Sequence, residues 1–107
     1  MSTKKKPERL LPLQNFFAET LRDILENGTL TAAEVARATG IPRPHLSEMK
    51  AGRRRITPEG DLRLSRFLGR EPGWFSALQL HYDLDKAKRE HGAEIEAITP
   101  RPEPAEI

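Results

Sequence analysis

The stretch from Leu30 to Gly52, LTAAEVARATGIPRPHLSEMKAG, leaves little freedom in how it can fold. Thr31-Ala-Ala-Glu34 is a capping box, in which the Thr31 hydroxyl accepts from the amide of residue 34 and the Glu34 carboxylate reaches back to the Thr31 amide. Val35, Ala36 and Thr39 then give one small inward face. Gly40 stops the helix, because a left-handed residue at that point carries no steric cost without a Cβ. Ile41 is an apolar plug in the turn. Pro42 and Pro44 lack amide hydrogens, which only the first turn of a helix tolerates. A second helix therefore starts near Pro42 and runs to about Ala51, with Gly52 as its stop. Leu46 and Met49 form its inner edge. Arg43, His45, Ser47, Glu48 and Lys50 are left outside.

Two short helices joined by a glycine turn make a helix-turn-helix, whose second helix can enter the major groove of DNA. The same spacing also suits a plain helical hairpin with a solvated face. The residues that follow favour the first reading. Arg53-Arg54-Arg55 leaves the second helix where a DNA backbone would pass, and with Lys50 it can contact phosphates and displace counterions.

The formal charge is only +2, so overall charge says little and its placement says more. The chain has 107 residues and 36% hydrophobic content, enough for one modest core with some tail. It has no cysteine, which excludes a disulfide frame or thiolate metal site and suits a reducing cytoplasm. No apolar run approaches the roughly 20 residues that cross a bilayer, and the N-terminal lysines precede no hydrophobic segment. Enzyme chemistry finds no foothold. His45, His81 and His91 lack metal spacing, Asp83 and Asp85 point to different faces of a helix, and there is no glycine-rich phosphate loop. No cofactor is expected.

Around the central stretch, residues 1–12 read as a basic arm, residues 13–83 as the helix-turn-helix domain, residues 84–98 as a C-terminal helix and residues 99–107 as a loose tail. Phe16, Phe17, Leu21, Ile24 and Leu25 recur at helical steps, so a first helix spans about Leu13 to Asn27, with Gly28 as its C′ residue and Leu30 packed against it. Thr57-Pro58-Glu59 opens a fourth helix, with Leu64, Phe67 and Leu68 inward and Gly69 closing it. Glu71-Pro72 opens another, carrying Trp74, Phe75, Leu78 and Tyr82, which are either core or a partner surface. Leu84, Ala87, His91, Ile95 and Ile98 then form a narrow apolar stripe of a width suited to a dimer or partner contact. Gly92 weakens that helix near its middle.

The run from Leu30 to Leu84 resembles the Xre-type DNA-binding domains and, more narrowly, the HigA family of antitoxins. The resemblance is carried by Leu30-Thr31 and Ala33-Glu34-Val35-Ala36-Arg37, Gly40-Ile41-Pro42-Arg43, Gly52-Arg53-Arg54, Ile56-Thr57-Pro58-Glu59, Leu62-Arg63-Leu64, Gly69, Glu71-Pro72, Trp74-Phe75, Leu78-Gln79 and Tyr82-Asp83-Leu84. It implies an all-α fold of five or six helices and a homodimer on a palindromic operator over its own promoter. It also implies a partner, a HigB toxin, which is a RelE-like ribonuclease that cuts mRNA. A freestanding Xre-type or phage-like repressor without a toxin is the alternative. There are departures from the family pattern. Ala32 stands where many relatives carry a phosphate-touching glutamine. Pro42 replaces a serine cap. Gly60 and Asp61 replace apolar residues, which is expected to loosen the fourth helix.

Within this reading Arg43, Pro44, His45, Ser47 and Glu48 are the candidate base contacts. Arg43 suits guanine O6 and N7, and Pro44 suits a thymine methyl. Glu48 either accepts from cytosine N4 or pairs with a neighbouring arginine. Thr31, Lys50, Arg53, Arg54 and Arg55 are the candidate phosphate contacts. Trp74, Phe75, Leu78, Tyr82, Leu84 and Ile95 are the candidate dimer or partner surface.

Overall fold

The computed structural model describes residues 11–102. Residues 1–10 of the expected arm and 103–107 of the expected tail lie outside the described residues. Among the described residues there are five helices and no strand: α1 (Phe16–Asn27), α2 (Ala32–Thr39), α3 (Arg43–Lys50), α4 (Pro58–Leu68) and α5 (Trp74–Glu96). The fold is all-α.

Local signals set most of the ends. The capping box forms, with Glu34 N–H donating to the Thr31 hydroxyl at 3.0 Å and Thr31 N–H to the Glu34 carboxylate at 2.8 Å. Gly40 sits at φ 80° and donates its amide to the Ala36 carbonyl. Thr57 caps α4 by accepting from Gly60 N–H at 3.0 Å. Asn15 caps α1, which therefore begins later than Leu13. Gly28 ends α1 as expected, with an extended backbone (φ −93°, ψ −168°). Glycine serves close approach there, since a Cβ would lie 2.7 Å from the Ile24 carbonyl oxygen.

The helices close a ring of contacts. α1 packs on α3 and α5, α2 on α3 and α4, and α4 on α5. Phe17, Leu21, Val35, Ile41, Leu46, Met49, Ile56, Leu64 and Phe75 form the buried core, with Leu30, Leu68, Trp74 and Leu78 packed against it. Each such large side chain contributes about 1.5–3 kcal/mol by leaving water. Phe17 and Phe75 meet edge to face, with ring centroids 6.1 Å apart.

The inward stripe of α4 corrects the sequence reading. It consists of Asp61, Leu64, Ser65 and Leu68, at helical steps of three, one and three, while Phe67 falls beside it and is 39% exposed. Asp61 does not loosen α4. It is buried, and its carboxylate accepts from Gly73 N–H at 2.7 Å, Ser76 N–H at 2.6 Å and the Ser65 hydroxyl at 3.2 Å. Gly73, the N-cap of α5, has no side chain to satisfy that helix start and sits at φ 92°, so Asp61 caps α5 from across the interface.

The separate helices expected from Glu71 and over residues 84–98 are one 23-residue helix starting at Trp74, with non-helical angles only at His91 (φ −131°, ψ 16°) beside Gly92. The boundary expected between residues 83 and 84 falls inside it. Nothing in Tyr82-Asp83-Leu84-Asp85 breaks a helix, and the i,i+4 pairs Asp85–Arg89 (3.4 Å) and Lys86–Glu90 (3.1 Å) support its outer length.

Burial raises the Asp61 carboxyl pKa, but the hydrogen bonds from Gly73, Ser76 and Ser65 outweigh it and hold the group below its ordinary value. A carboxyl depressed in the folded state adds stability that is fully present above the unfolded pKa of about 3.9 and disappears as pH falls through the lower folded value. Asp61→Ala should therefore cost about 2–3 kcal/mol at pH 7 in urea unfolding. In Asp61→Asn, part of the stability loss of the wild type between pH 4 and lower values should be absent.

Candidate nucleic-acid interface

α3 is an eight-residue helix that begins after Pro42 without any side-chain cap. Helices this short do not hold in water by themselves. Leu46 and Met49 anchor it, at 0% and 3% exposure. Its C-terminal end is gripped by α1, where Arg22 Nη2 donates to the Lys50 carbonyl at 2.8 Å. That bond sets a cation against the negative end of the helix dipole. The preceding helix is closed in the same way, with Arg63 Nη1 of α4 donating to the Thr39 carbonyl at 2.7 Å. Arg63 is itself held by Glu59. A Cβ on Gly40 would meet that guanidinium at 2.8 Å, which the flexible arginine end can yield, so it is the backbone angle of φ 80° that favours glycine there.

With Leu46 and Met49 inward, the outer residues of α3 divide between two sides. Arg43, Pro44, Ser47 and Lys50 share a trough with Leu25 of α1 and Ala32 at the start of α2. Thr31 stands next to that trough and its hydroxyl oxygen accepts the Glu34 amide. His45 is half-buried and lines the other side with Met49, Arg54, Arg55 and the start of α4. Of the candidate base contacts, Arg43, Pro44 and Ser47 are exposed, and His45 and Glu48 are half-buried.

Glu48 takes the ion-pair alternative. Its Oε1 accepts from Arg54 Nε at 2.7 Å. That hydrogen bond, helped by the positive charge of Arg54, lowers the Glu48 pKa against the opposing effect of desolvation. The bond engages the Nε edge of Arg54 and directs its guanidinium.

The cationic fringe is matched by carboxylates. Lys50 Nζ meets Glu26 Oε2 of α1 at 2.9 Å. Arg55 Nη2 donates to Asp83 Oδ2 of α5, and Asp83 Oδ1 accepts from the buried Gln79 amide at 3.1 Å. The Arg55 hydrogen bond holds the Asp83 carboxyl below its ordinary pKa, and Asp83 in turn raises that of Arg55. Arg43 and Arg53 have no ion pair with another described residue. Sequence reasoning missed Arg22, Glu26 and Arg63. Each lies on the polar side of a helix, with no local signal of its distant partner.

The expected partner surface divides as well. Phe75 is fully buried between Phe17 and Trp74, so it is core and no part of a surface. Leu78 packs on the core, Trp74 is half-buried under the Arg70 guanidinium at 4.6 Å, and Tyr82 is half-buried. Leu84 and Ile95 are 54% and 50% exposed, and Leu80 and Ile98 are exposed beside them. Among the described residues no group of His, Asp or Glu could hold a metal ion, and no helix is long and apolar enough to cross a membrane.

A short helix seated on two others, with a glycine turn before it and its polar side outward, is the architecture of a helix-turn-helix protein. The chain belongs to the helix-turn-helix family HTH_3, whose model matches residues 21–75, from α1 into the start of α5. No curated protein matches the chain. Solved structures do, among them HigA-family antitoxins. The fold is similar to an addiction module antidote protein of the HigA family from Coxiella burnetii, with a TM-score of 0.72 and 28% identity over 85% of this chain and 100% of that one. It is similar to PA4674 from Pseudomonas aeruginosa in complex with its 18-base-pair operator DNA, with a TM-score of 0.76 and 26% identity over 86% of this chain and 100% of that one. It is also similar to the P. aeruginosa antitoxin HigA with the higBA promoter, with a TM-score of 0.68 and 28% identity over 78% of this chain and 94% of that one.

The grip on α3 is testable without DNA. Arg22→Met should remove about 1 kcal/mol of local stability. The expected readout is hydrogen exchange about fivefold faster at the amides of residues 50–53, with the amides of α4 unchanged. Uniform acceleration across all helices would show that Arg22 supports the whole fold rather than the end of α3.

Proposed function

We propose that this protein is a sequence-specific DNA-binding antitoxin of a type II toxin–antitoxin system. In this reading it represses its own operon as a dimer on a palindromic operator and neutralises a HigB/RelE-like mRNA-cleaving toxin. One observation carries the DNA part. Burial of Leu46 and Met49 turns Arg43, Pro44, Ser47 and Glu48 outward on a helix whose end is fringed by Lys50 and Arg53–Arg55. The operator and promoter complexes of proteins with this fold, at 26% and 28% identity, support the same placement. The antitoxin part is supported by the likeness to the HigA-family antidote protein from Coxiella burnetii and to the P. aeruginosa antitoxin HigA.

In this reading the first turn of α3 meets base edges. Arg43 reads guanine, and Pro44 and Ser47 line the same edge. Glu48 acts by aiming Arg54, whose two Nη groups stay free for an anion. His45 stands behind them at the α4 side. Thr31, Lys50 and Arg53–Arg55 meet phosphates on either side of the groove. One helix reads few base pairs, so a second copy about 34 Å away supplies the other half-site. Leu80, Leu84, Ile95 and Ile98, the exposed apolar residues of α5 and its end, replace Phe75 as the surface for that contact. The expected cytoplasmic location agrees with these partners.

A gel shift on the DNA upstream of its own coding sequence tests the whole reading, repeated with the product of the neighbouring gene. Retention that the partner alters supports an antitoxin. Retention with no toxin-like neighbour supports a freestanding repressor. Arg43→Ala should weaken binding to that DNA by about 1–3 kcal/mol and relax one base position. Arg54→Ala should weaken all duplexes alike and flatten the salt dependence by about 0.9 in log–log slope. Unchanged base preference in Arg43→Ala would remove that residue from the reading head. Leu84→Glu should leave a monomer by light scattering at micromolar concentration, whereas the wild type is a dimer.

A further inference from the structure

We propose that Glu26 and Asp83 are specificity-determining residues for DNA binding. From α1 and α5 they occupy the Lys50 and Arg55 cations in the free protein and so suppress contact with duplexes that do not fit. The inference rests on the reading of Lys50 and Arg55 as phosphate contacts.

Neither carboxylate belongs to α3 or to the arginine loop, yet each sits on a cation of that fringe. Glu26 Oε2 is 2.9 Å from Lys50 Nζ. Arg22, one turn earlier on α1, holds the main chain of the same residue through its carbonyl. Lys50 is thus held by α1 through both main chain and side chain. Asp83 is bonded to Arg55 through one oxygen and to buried Gln79 through the other, so its position is set by α5. Glu48 adds a further carboxylate within the reading surface itself, but it meets Arg54 only at Nε and leaves both Nη groups free. The fringe therefore carries its own counter-charges, in keeping with a formal charge of only +2.

Exposed ion pairs of this kind are weak enough to be exchanged. When α3 is seated in a matching groove, a phosphate lies where the carboxylate lies and takes over the cation, charge for charge. On an unmatched duplex the contacts are looser, and they come almost wholly from counterion release by free cations. There the internal carboxylate competes effectively. Removing it should strengthen the wrong complexes more than the right one and lower the ratio between them.

The test measures binding over a salt series to a mixed-sequence duplex and to the upstream fragment that the wild type retains. The proteins are the wild type, Glu26→Gln and Asp83→Asn. Each variant is also made in the background that removes its cation, Lys50→Met or Arg55→Met. Each carboxylate variant should bind the mixed duplex about two- to fivefold more tightly, with a steeper salt slope and a smaller gain on the upstream fragment. The gain should vanish when the paired cation is absent. Unchanged or weaker mixed-duplex binding overturns the proposal. So does an equal gain in the cation-free backgrounds, which would show long-range charge alone. If Lys50→Met and Arg55→Met bind every duplex as the wild type does, the phosphate reading itself fails, and this proposal with it. Glu26 is on the surface, so its pair of variants decides the matter even if Asp83→Asn unfolds.

Discussion

The outward side of this protein is only as good as the burial of Leu46 and Met49. An eight-residue helix opened by prolines, with no side-chain cap, has too few internal hydrogen bonds to repay the entropy of its first turn. Two apolar side chains in the core hold it in place, and the Arg22 guanidinium of α1 holds its far end. The direction in which Arg43, Pro44, Ser47 and Glu48 point follows from that attachment. α1 therefore sets how the outer residues of α3 are presented, and its Leu25 shares a trough with them.

A second dependence runs through Asp61. Its carboxylate ties α4 to the start of α5, and α5 supplies Phe75 to Phe17 of α1, which in turn carries α3. A buried charge is costly unless its oxygens are filled, and here two amides and a hydroxyl fill them. The same helix, α5, ends in exposed apolar residues and also carries the Asp83 carboxylate that meets Arg55. One long helix thus touches the core, the cationic fringe and the free apolar surface.

Features that act over one helical turn were open to reading in the residues themselves. Thr31 with Glu34, Gly40, Pro42, Thr57 with Pro58, and Gly69 each mark an end, because caps and stops are made by groups within four positions of one another. The inner residues of α1, α2 and α3 were legible by period. Gly28 marks the end of α1 as well, though by an extended backbone rather than the left-handed one of Gly40. Phe67 and Asp61 were misread together: on α4 the inward stripe contains two polar residues, and hydrophobicity alone picks the wrong neighbour. The continuity of α5 through residues 83 and 84 was also missed, because the change there from an apolar to a highly charged composition suggested a boundary where the backbone stays helical.

By itself, then, the order of residues determined that there are short helices, a glycine turn and an arginine-rich exit, and which side chains of α3 stay outside. These are consequences of backbone sterics and hydrophobic period, both local. Only the packed chain decided that Glu48 turns to Arg54, that Glu26 and Asp83 sit on Lys50 and Arg55, that Phe75 is core while Leu84 is not, and that Asp61 is satisfied. Each of these, even the six-residue reach from Glu48 to Arg54, needs the chain to bend back on itself past a helix end. The partner of a charge is set by where that bend delivers it, and no periodicity along the chain encodes that.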